Sequence, residues 1–169
     1  ASSLALQSAG QVGRKDFVLA DMNADGRADA VYKVGSSSIA VALGAADGTF
    51  LAEQVFGAGG SGVLGFAVGD VNGDSHRDVV VAEGSQISVL RNAGDGTLLG
   101  GSQRFILSLA FAITNVRISQ MTGGASSLPE ITFSGSGGLG YLTNGSTQQA
   151  LSFSVSSTRL SGYWGEFSR

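Results

Sequence analysis

The sequence reads Asp21-Met22-Asn23-Ala24-Asp25-Gly26-Arg27-Ala28-Asp29 near its start, and 49 residues further on it reads Asp70-Val71-Asn72-Gly73-Asp74-Ser75-His76-Arg77-Asp78. A second motif repeats at almost the same distance, because Asp47-Gly48-Thr49-Phe50 returns 48 residues later as Asp95-Gly96-Thr97-Leu98. Similarity at a fixed period of this size indicates a repeat fold. The chain therefore contains two complete copies of one unit.

A third, diverged copy follows the first two. Residues 116–122 align with residues 66–72, and after a loop two residues longer Glu130 aligns with Asp78 and Asn144 with Asn92. The acidic loop itself is degenerate, since Gln120, Thr122 and Gly124 replace its acidic and amide residues. We predict that this third loop binds no metal.

Each unit contains four short strand-like segments. In the first unit these are Phe17–Leu19, Ala30–Val34, Ile39–Leu43 and Phe50–Phe56, with an Asp47-Gly48 hairpin signal before the last. Four strands in a repeat of 40–50 residues are typical of a β-propeller blade. We predict an all-β fold of about three blades of four antiparallel strands. The chain forms one β-propeller region over residues 1–169, with repeats at about 17–65, 66–114 and 115–165 and with residues 1–16 as an outer strand of a preceding blade.

Composition agrees with a folded, turn-rich domain. The 169 residues include 27 glycines and one proline, and 43% are hydrophobic against 14% charged, which argues against disorder. There is no cysteine, so disulfides and thiolate sites are excluded. The net charge of −3 gives no electrostatic footprint for nucleic acid, and no apolar run reaches the length of a membrane span.

The acidic loop, the apolar strand after it and the later Asp-Gly-Thr motif together resemble the FG-GAP/VCBS repeat, which occurs in integrin α-subunit propellers and in propeller lectins. The resemblance is strong over residues 17–98 and weaker over 115–165. It implies a β-propeller whose loops bind calcium between the first and second strands of a blade, in rings that commonly have seven blades.

The chemistry of the loop supports calcium independently. Ca²⁺ prefers six to eight oxygen ligands, and loop positions 1, 3 and 5, the carbonyl of position 7 and a further carboxylate supply them. A helical EF-hand is excluded because Tyr32 and Val81 stand where its position-12 glutamate belongs. Ordinary Asp/Asn turns are the alternative, but two loops at equal spacing favour metal. We predict two Ca²⁺ sites, one formed by Asp21, Asn23, Asp25, Arg27 (carbonyl) and Asp29, the other by Asp70, Asn72, Asp74, His76 (carbonyl) and Asp78.

Within the second loop, Ser75 replaces the glycine that position 6 usually carries. A left-handed backbone at that position costs serine more than glycine. We expect the second site to bind calcium somewhat more weakly than the first.

No motif points to catalysis. The only histidine, His76, lies inside the second loop with its side chain expected in solvent, and no nucleophile elbow is present. Four glutamates are predicted to be solvated surface residues: Glu53, Glu83, Glu130 and Glu166. We predict that the protein is not an enzyme.

Aromatic residues divide into two groups. Phe17, Phe50, Phe56 and Phe66 occupy strand positions and are predicted to lie in the core. The adjacent Tyr163 and Trp164 have no equivalent in the other repeats, and they are either packed against a neighbouring blade or available to stack on a sugar ring.

Two functional classes remain open. The first is a calcium-binding extracellular module, secreted or on the cell surface, that recognises a glycan or a protein as lectin and adhesion propellers do. The second is a structural or targeting accessory of a larger secreted or surface protein, without a ligand pocket of its own. Because three blades do not easily close a ring, we expect a homo-oligomer or the remainder of a longer propeller chain.

Overall fold

The computed structural model describes residues 17–60, 62–100, 105–119, 128–148 and 150–156. None of these residues forms a helix, so this part of the chain contains no helix that could span a membrane. The proposed outer strand in residues 1–16 lies outside the described residues. Regular structure consists of ten strands: β1 (Phe17–Ala20), β2 (Asp29–Val34), β3 (Ser38–Ala42), β4 (Gln54–Gly57), β5 (Gly65–Gly69), β6 (Asp78–Leu90), β7 (Phe105–Ser119), β8 (Glu130–Gly135), β9 (Gly138–Asn144) and β10 (Phe153–Ser156).

The first four strands form a four-stranded antiparallel sheet in sequence order. A three-residue turn joins β2 to β3, and Gly35 in that turn has a φ of +59°, in the left-handed region that favours glycine. The fourth strand is shorter than predicted because Phe50 forms only an isolated bridge with Gly44. This sheet is the first blade.

The remaining strands form a six-stranded sheet in the order β10-β9-β8-β7-β6-β5. Within it, the first part of β6 pairs with β5 and the last part pairs with β7. Asp78 is the first residue of β6, and Asn92 lies just beyond the last one. The N–H of Asn92 nevertheless donates to Oδ1 of Asp78 over 3.0 Å. Because a straight strand extends by about 3.3 Å per residue, the chain must reverse inside β6, at Gly84 with its φ of +61°. β6 therefore supplies the two middle strands of the second blade.

Strand β7 also serves two blades. Its first residues, from Phe105, pair with β6 as the outer strand of the second blade. Its last residues, from Ile113 onward, pair with β8 as the first strand of the third blade, which β9 and β10 complete. The predicted all-β class, with about three four-stranded blades, is confirmed. In the described part of the chain both sheets stay open, with β1 and β4 as the edges of the first and β5 and β10 as the edges of the second.

The core lies between consecutive blades. Residues of β2 alternate between the two faces of the first sheet, so Val31 faces the second blade while Ala30 and Tyr32 belong to a cluster on the other face. One cluster joins the first and second blades: Met22, Val31, Ile39, Val41, Ala58, Val63, Phe66, Val79, Val81, Leu90 and Leu98. Another joins the second and third: Val71, Val80, Ala82, Ile87, Val89, Ile113, Val116, Ile131, Phe133 and Leu142.

Two predictions about burial are wrong in part. Phe66 lies in the core, and Phe50 and Phe56 pack against it, but Phe17 is 40% exposed because it projects from the outward side of the edge strand β1. Glu83 is buried rather than solvated: its carboxylate accepts hydrogen bonds from Oγ of Ser88 over 2.5 Å and from the N–H of Gly60 over 2.8 Å. Glu130 is buried as well.

The first strands of the three blades lie near one another along one side of the molecule. The glycine at the start of β5 touches the backbone of β7, since a Cβ added at Gly65 would lie 3.2 Å from the carbonyl oxygen of Thr114. An open cavity of about 690 Å³ runs along these strands. It is lined by Val18, residues 64–68, residues 114–118 and Ser134.

Candidate metal-binding loops

The two acidic motifs form equivalent loops. Loop 1 (residues 21–29) joins β1 to β2, and loop 2 (residues 70–78) joins β5 to β6. In both cases the loop connects the first and second strands of a blade. Most of the equivalent third loop, including Gln120, Thr122 and Gly124, lies outside the described residues, as do Tyr163 and Trp164.

The first aspartate of each loop binds the backbone of the turn. Asp21 accepts hydrogen bonds from the N–H groups of Asp25 (3.2 Å) and Gly26 (2.9 Å). These bonds, that from Gly26 above all, lower the pKa of Asp21 below its usual value. In loop 2, Asp70 accepts from the N–H groups of Gly73 (2.7 Å) and Ser75 (2.9 Å). Each carboxylate is thus held at the centre of its turn.

Positions 3 and 5 are also equivalent. In loop 1, Nδ2 of Asn23 donates to Oδ2 of Asp25 over 2.8 Å, and Oδ1 of Asp25 accepts from the N–H of Arg27 over 2.8 Å. In loop 2 the matching bonds measure 2.7 Å from Asn72 to Asp74 and 2.9 Å from the N–H of His76 to Asp74. Two different sequences therefore form one hydrogen-bond pattern.

The last aspartate of each loop is fully buried and clamps the base of the loop. In loop 1, the two oxygens of Asp29 accept the N–H of Met22 (2.6 Å) and the N–H of Gly44 (2.7 Å). Asp78 makes the same pair of bonds in loop 2, with the N–H groups of Val71 (3.2 Å) and Asn92 (3.0 Å).

Burial raises the pKa of Asp78 to about 7, against the opposing effect of its two N–H donors. The negative charges of Asp74 and Asp70 add to this increase. The carboxylates of loop 2 therefore repel one another in the absence of a cation.

Each loop has an arginine at its position-5 carboxylate, which the sequence reasoning missed. The guanidinium of Arg27 contacts Asp25, and its Nε donates to the carbonyl oxygen of Gly44 over 2.8 Å. In loop 2, Nη2 of Arg91 lies 3.6 Å from Oδ2 of Asp74. For Arg27, its place two residues after Asp25 is a sequence signal for the contact. For Arg91 there is no such signal, because it is distant in sequence from loop 2.

The donor chemistry of the loops fits a hard cation. Each loop brings two carboxylates, one amide oxygen and a backbone carbonyl within a single turn, and these oxygens are the ligands that Ca²⁺ prefers. Among the described residues, however, no three side chains of His, Asp or Glu lie in position to hold a metal ion. The last aspartate of each loop is directed to backbone N–H groups, although an ionised carboxylate has about four acceptor sites and retains capacity for a cation.

The two loops lie side by side. A cavity of about 160 Å³ separates them. The ring of His76 lies against Gly94, where an added Cβ would come within 2.8 Å of it, so this side chain is partly packed. The cavity is lined by Asp21, Met22 and Ala24 of loop 1 and by Ser75, His76 and Arg77 of loop 2.

Comparison with known proteins identifies a family. The sequence model of the FG-GAP-like repeat matches residues 21–81 and, in a second register, residues 70–123. No curated protein matches the sequence. The two matches begin at the first residues of loops 1 and 2, and together they cover more than half of the chain. The chain therefore belongs to the FG-GAP-like repeat family.

Proposed function

We propose that this protein is a non-catalytic, calcium-binding propeller module that recognises a glycan or a protein outside the cell. The observation that carries the proposal is the equivalence of loops 1 and 2, in which the same oxygen-rich turn is built twice. Calcium bound there supplies positive charge that offsets the repulsion between the loop carboxylates and thereby rigidifies the turn.

In this proposal, the residues of each loop have separate roles. Asp21, Asn23 and Asp25, with the carbonyl of Arg27, are the ligands of loop 1. Asp70, Asn72, Asp74 and the carbonyl of His76 are the ligands of loop 2. Asp29 and Asp78 hold the base of each loop closed through backbone bonds and add a carboxylate to the site.

Calcium affinity bears on the setting that we propose for this protein. Calcium sites of extracellular modules typically have dissociation constants of about 10⁻⁴–10⁻³ M, which the calcium outside cells fills and cytosolic calcium does not. We therefore propose a secreted or cell-surface location.

We place ligand recognition at the cavity between the loops. Its walls belong to the loops themselves, and Asp21, Ser75, His76 and Arg77 offer both donors and acceptors to a polar ligand. The cavity has a volume of about 160 Å³. Because pockets for drug-sized ligands usually have roughly 300–1,000 Å³, we propose that it takes a small polar group of the ligand. Binding there depends on calcium because the metal fixes the walls.

A second candidate is an accessory role without a ligand. The exposed apolar residues Phe17 (40%) and Leu19 (54%) on the open edge β1 support it, because an edge of this kind invites further strands or blades. Those blades come either from a second copy of the chain or from the remainder of a longer propeller.

The experiment that separates these candidates is binding of the folded protein to a glycan array and to a panel of extracellular proteins, in millimolar calcium and in chelator. The recognition role predicts binding to one class of ligand that chelator abolishes. The double variant Asp25→Ala/Asp74→Ala should behave like the chelated protein. Asp47→Ala, at an exposed hairpin aspartate outside both loops, should bind normally. Calcium-dependent folding without any binding would instead support the accessory role.

A further inference from the structure

Two buried asparagines connect the blades at the metal loops. Asn92 follows the third strand of the second blade, and Asn144 ends the third strand of the third blade. Nδ2 of Asn92 donates to the carbonyl oxygen of Met22 over 2.6 Å, and Nδ2 of Asn144 donates to that of Val71 over 2.8 Å. Met22 and Val71 are the second residues of loops 1 and 2. The same bond therefore occurs twice, each time from one blade to the loop of the blade before it.

The orientation of each amide is fixed by its own turn. Oδ1 of Asn92 accepts the N–H groups of Gly94 (2.9 Å) and Gly96 (3.1 Å), and Oδ1 of Asn144 accepts that of Ser146 (2.9 Å). Both asparagines are at most 2% exposed. Because the oxygen is engaged within the turn, the NH₂ group is directed to the neighbouring loop. In Asn144 the NH₂ group also donates to the carbonyl oxygen of Pro129 in its own blade, over 2.7 Å.

The carbonyl that each amide holds is close to the proposed ligands. Met22 stands between Asp21 and Asn23, and its N–H already donates to Asp29 over 2.6 Å. With the bond from Asn92, both polar groups of this residue are fixed. The direction of the two flanking side chains is therefore set partly by the second blade.

The geometry points to Asn92 and Asn144 as positioning residues for the metal site of the preceding blade. Each site is then a two-blade unit, in which loop 1 is completed by the second blade and loop 2 by the third. The third blade thus contributes Asn144 to metal binding in loop 2, whatever its own loop does. As far as the metal is concerned, this inference rests on the proposed function.

The first blade offers no equivalent bond. Gly44 occupies the position of Asn92, as their matching bridges to Phe50 and Leu98 show. A Cβ added at Gly44 would lie only 2.5 Å from the carbonyl oxygen of Ala28. Among the residues that the structure describes, the contact therefore occurs at the junction of the first and second blades and at that of the second and third.

The test measures each loop separately. Calcium affinity of loop 1 is measured in an Asp74→Ala background and that of loop 2 in an Asp25→Ala background. Because side chains behind metal ligands typically contribute 10- to 100-fold to affinity, Asn92→Ala should weaken loop 1 by about tenfold and leave loop 2 within about twofold. Asn144→Ala should show the reverse pattern. The exposed Asn115→Ala serves as control and should change neither.

The outcome that overturns the inference is equally specific. The backbone N–H of Asn92 donates to Asp78 of its own blade, and Asn92→Ala keeps this group. The variant does remove the acceptor for the N–H groups of Gly94 and Gly96, so a merely local role predicts that it loosens this turn and weakens loop 2. That result, equal weakening of both loops, or no change in either would contradict the two-blade site. If the alanine variant does not fold, Asn92→Asp replaces it, because a carboxylate keeps an acceptor for the N–H groups of Gly94 and Gly96 but removes the donor to Met22.

Amide hydrogen exchange tests the same inference without metal. In calcium-free protein, Asn92→Ala should raise amide hydrogen exchange at residues 21–26 and not at residues 70–75. Unchanged exchange in loop 1 would overturn the inference. If the parent protein binds no calcium but exchange follows this pattern, the proposed function fails while the coupling between blades stands.

Discussion

Loops 1 and 2 have the same shape but place their glycine differently. Positions 4 and 6 have left-handed backbone in both loops, at Ala24 (φ +60°) and Gly26 (+79°) in one and at Gly73 (+78°) and Ser75 (+69°) in the other. Each loop thus holds one glycine and one residue for which this conformation is unfavourable. The hydrogen bonds of the Asp and Asn side chains, rather than the glycines, determine the shape.

Ser75 by itself does not make loop 2 the weaker calcium site. Ser75 was the reason to expect weaker calcium binding in loop 2, but Ala24 is in the same left-handed region in loop 1. What differs is the surroundings. In loop 1 the arginine that contacts the position-5 carboxylate, Arg27, belongs to the loop itself. In loop 2 the corresponding arginine, Arg91, lies outside the loop. Nε2 of Gln148 also contacts loop 2 from outside, since it donates to the carbonyl oxygen of Gly73 over 2.9 Å.

The largest loss of unfolding free energy is expected at the last aspartate of each loop, which makes the same pair of backbone bonds in both. Asp29→Ala and Asp78→Ala each leave two buried N–H groups without an acceptor, at about 1–3 kcal/mol each. Each variant should therefore lose about 2–6 kcal/mol of unfolding free energy, measured by denaturant titration in chelator, while Asp47→Ala should lose far less. Full stability of either variant in chelator would mean that the aspartate acts only through metal.

A change in stability of intermediate size is expected at loop positions 4 and 6, where the backbone is left-handed. Ala24→Gly and Ser75→Gly should each stabilise the protein by about 0.5–1 kcal/mol, because relief of about 1–2 kcal/mol of backbone strain outweighs the added entropy of the unfolded chain. Gly73→Ala should destabilise it, since its Cβ would also lie 2.9 Å from Cδ2 of Leu128.

The control for these variants is Gly57→Ala, where the backbone is not left-handed and no atom lies within 4 Å of the added Cβ. Thermal and denaturant unfolding measure all four changes. If Ala24→Gly stabilised the protein and Ser75→Gly did not, the two loops would not share strain as described.

The sequence predicts the repeat, the strand order of the first blade and the position of both loops, because each depends on residues that are close in the chain. It does not predict the exposure of Phe17 or the burial of Glu83, because these depend on which blades surround a strand. The bond from Asn92 to Met22 spans 70 residues and exists only after two blades pack together. The alignment of Asn144 with Asn92 was a signal for it that acquires meaning only in the folded structure.

The smallest expected effect is the change in calcium affinity on replacing Arg27 or Arg91. Arg27→Gln and Arg91→Gln should each raise calcium affinity of the adjacent loop by about two- to fivefold, because an ion pair that solvent reaches contributes only about 0.2–1 kcal/mol. The side chain of Arg27 is 45% exposed and that of Arg91 is 18% exposed, so the smaller gain is expected at Arg27. The gain should shrink at high salt. Calcium titration of the single-loop backgrounds measures it, with Arg117→Gln on β7 as control. A loss of affinity would show that the arginines support the loops rather than compete with the metal.

The most direct test of calcium binding by loops 1 and 2 is the number of calcium ions bound, measured by isothermal titration calorimetry of the metal-free protein. We expect two ions for the parent protein and for Asp47→Ala, one for Asp25→Ala, one for Asp74→Ala and none for the double variant. No binding by the folded parent protein at millimolar calcium, or a stoichiometry that the loop substitutions leave unchanged, would contradict it.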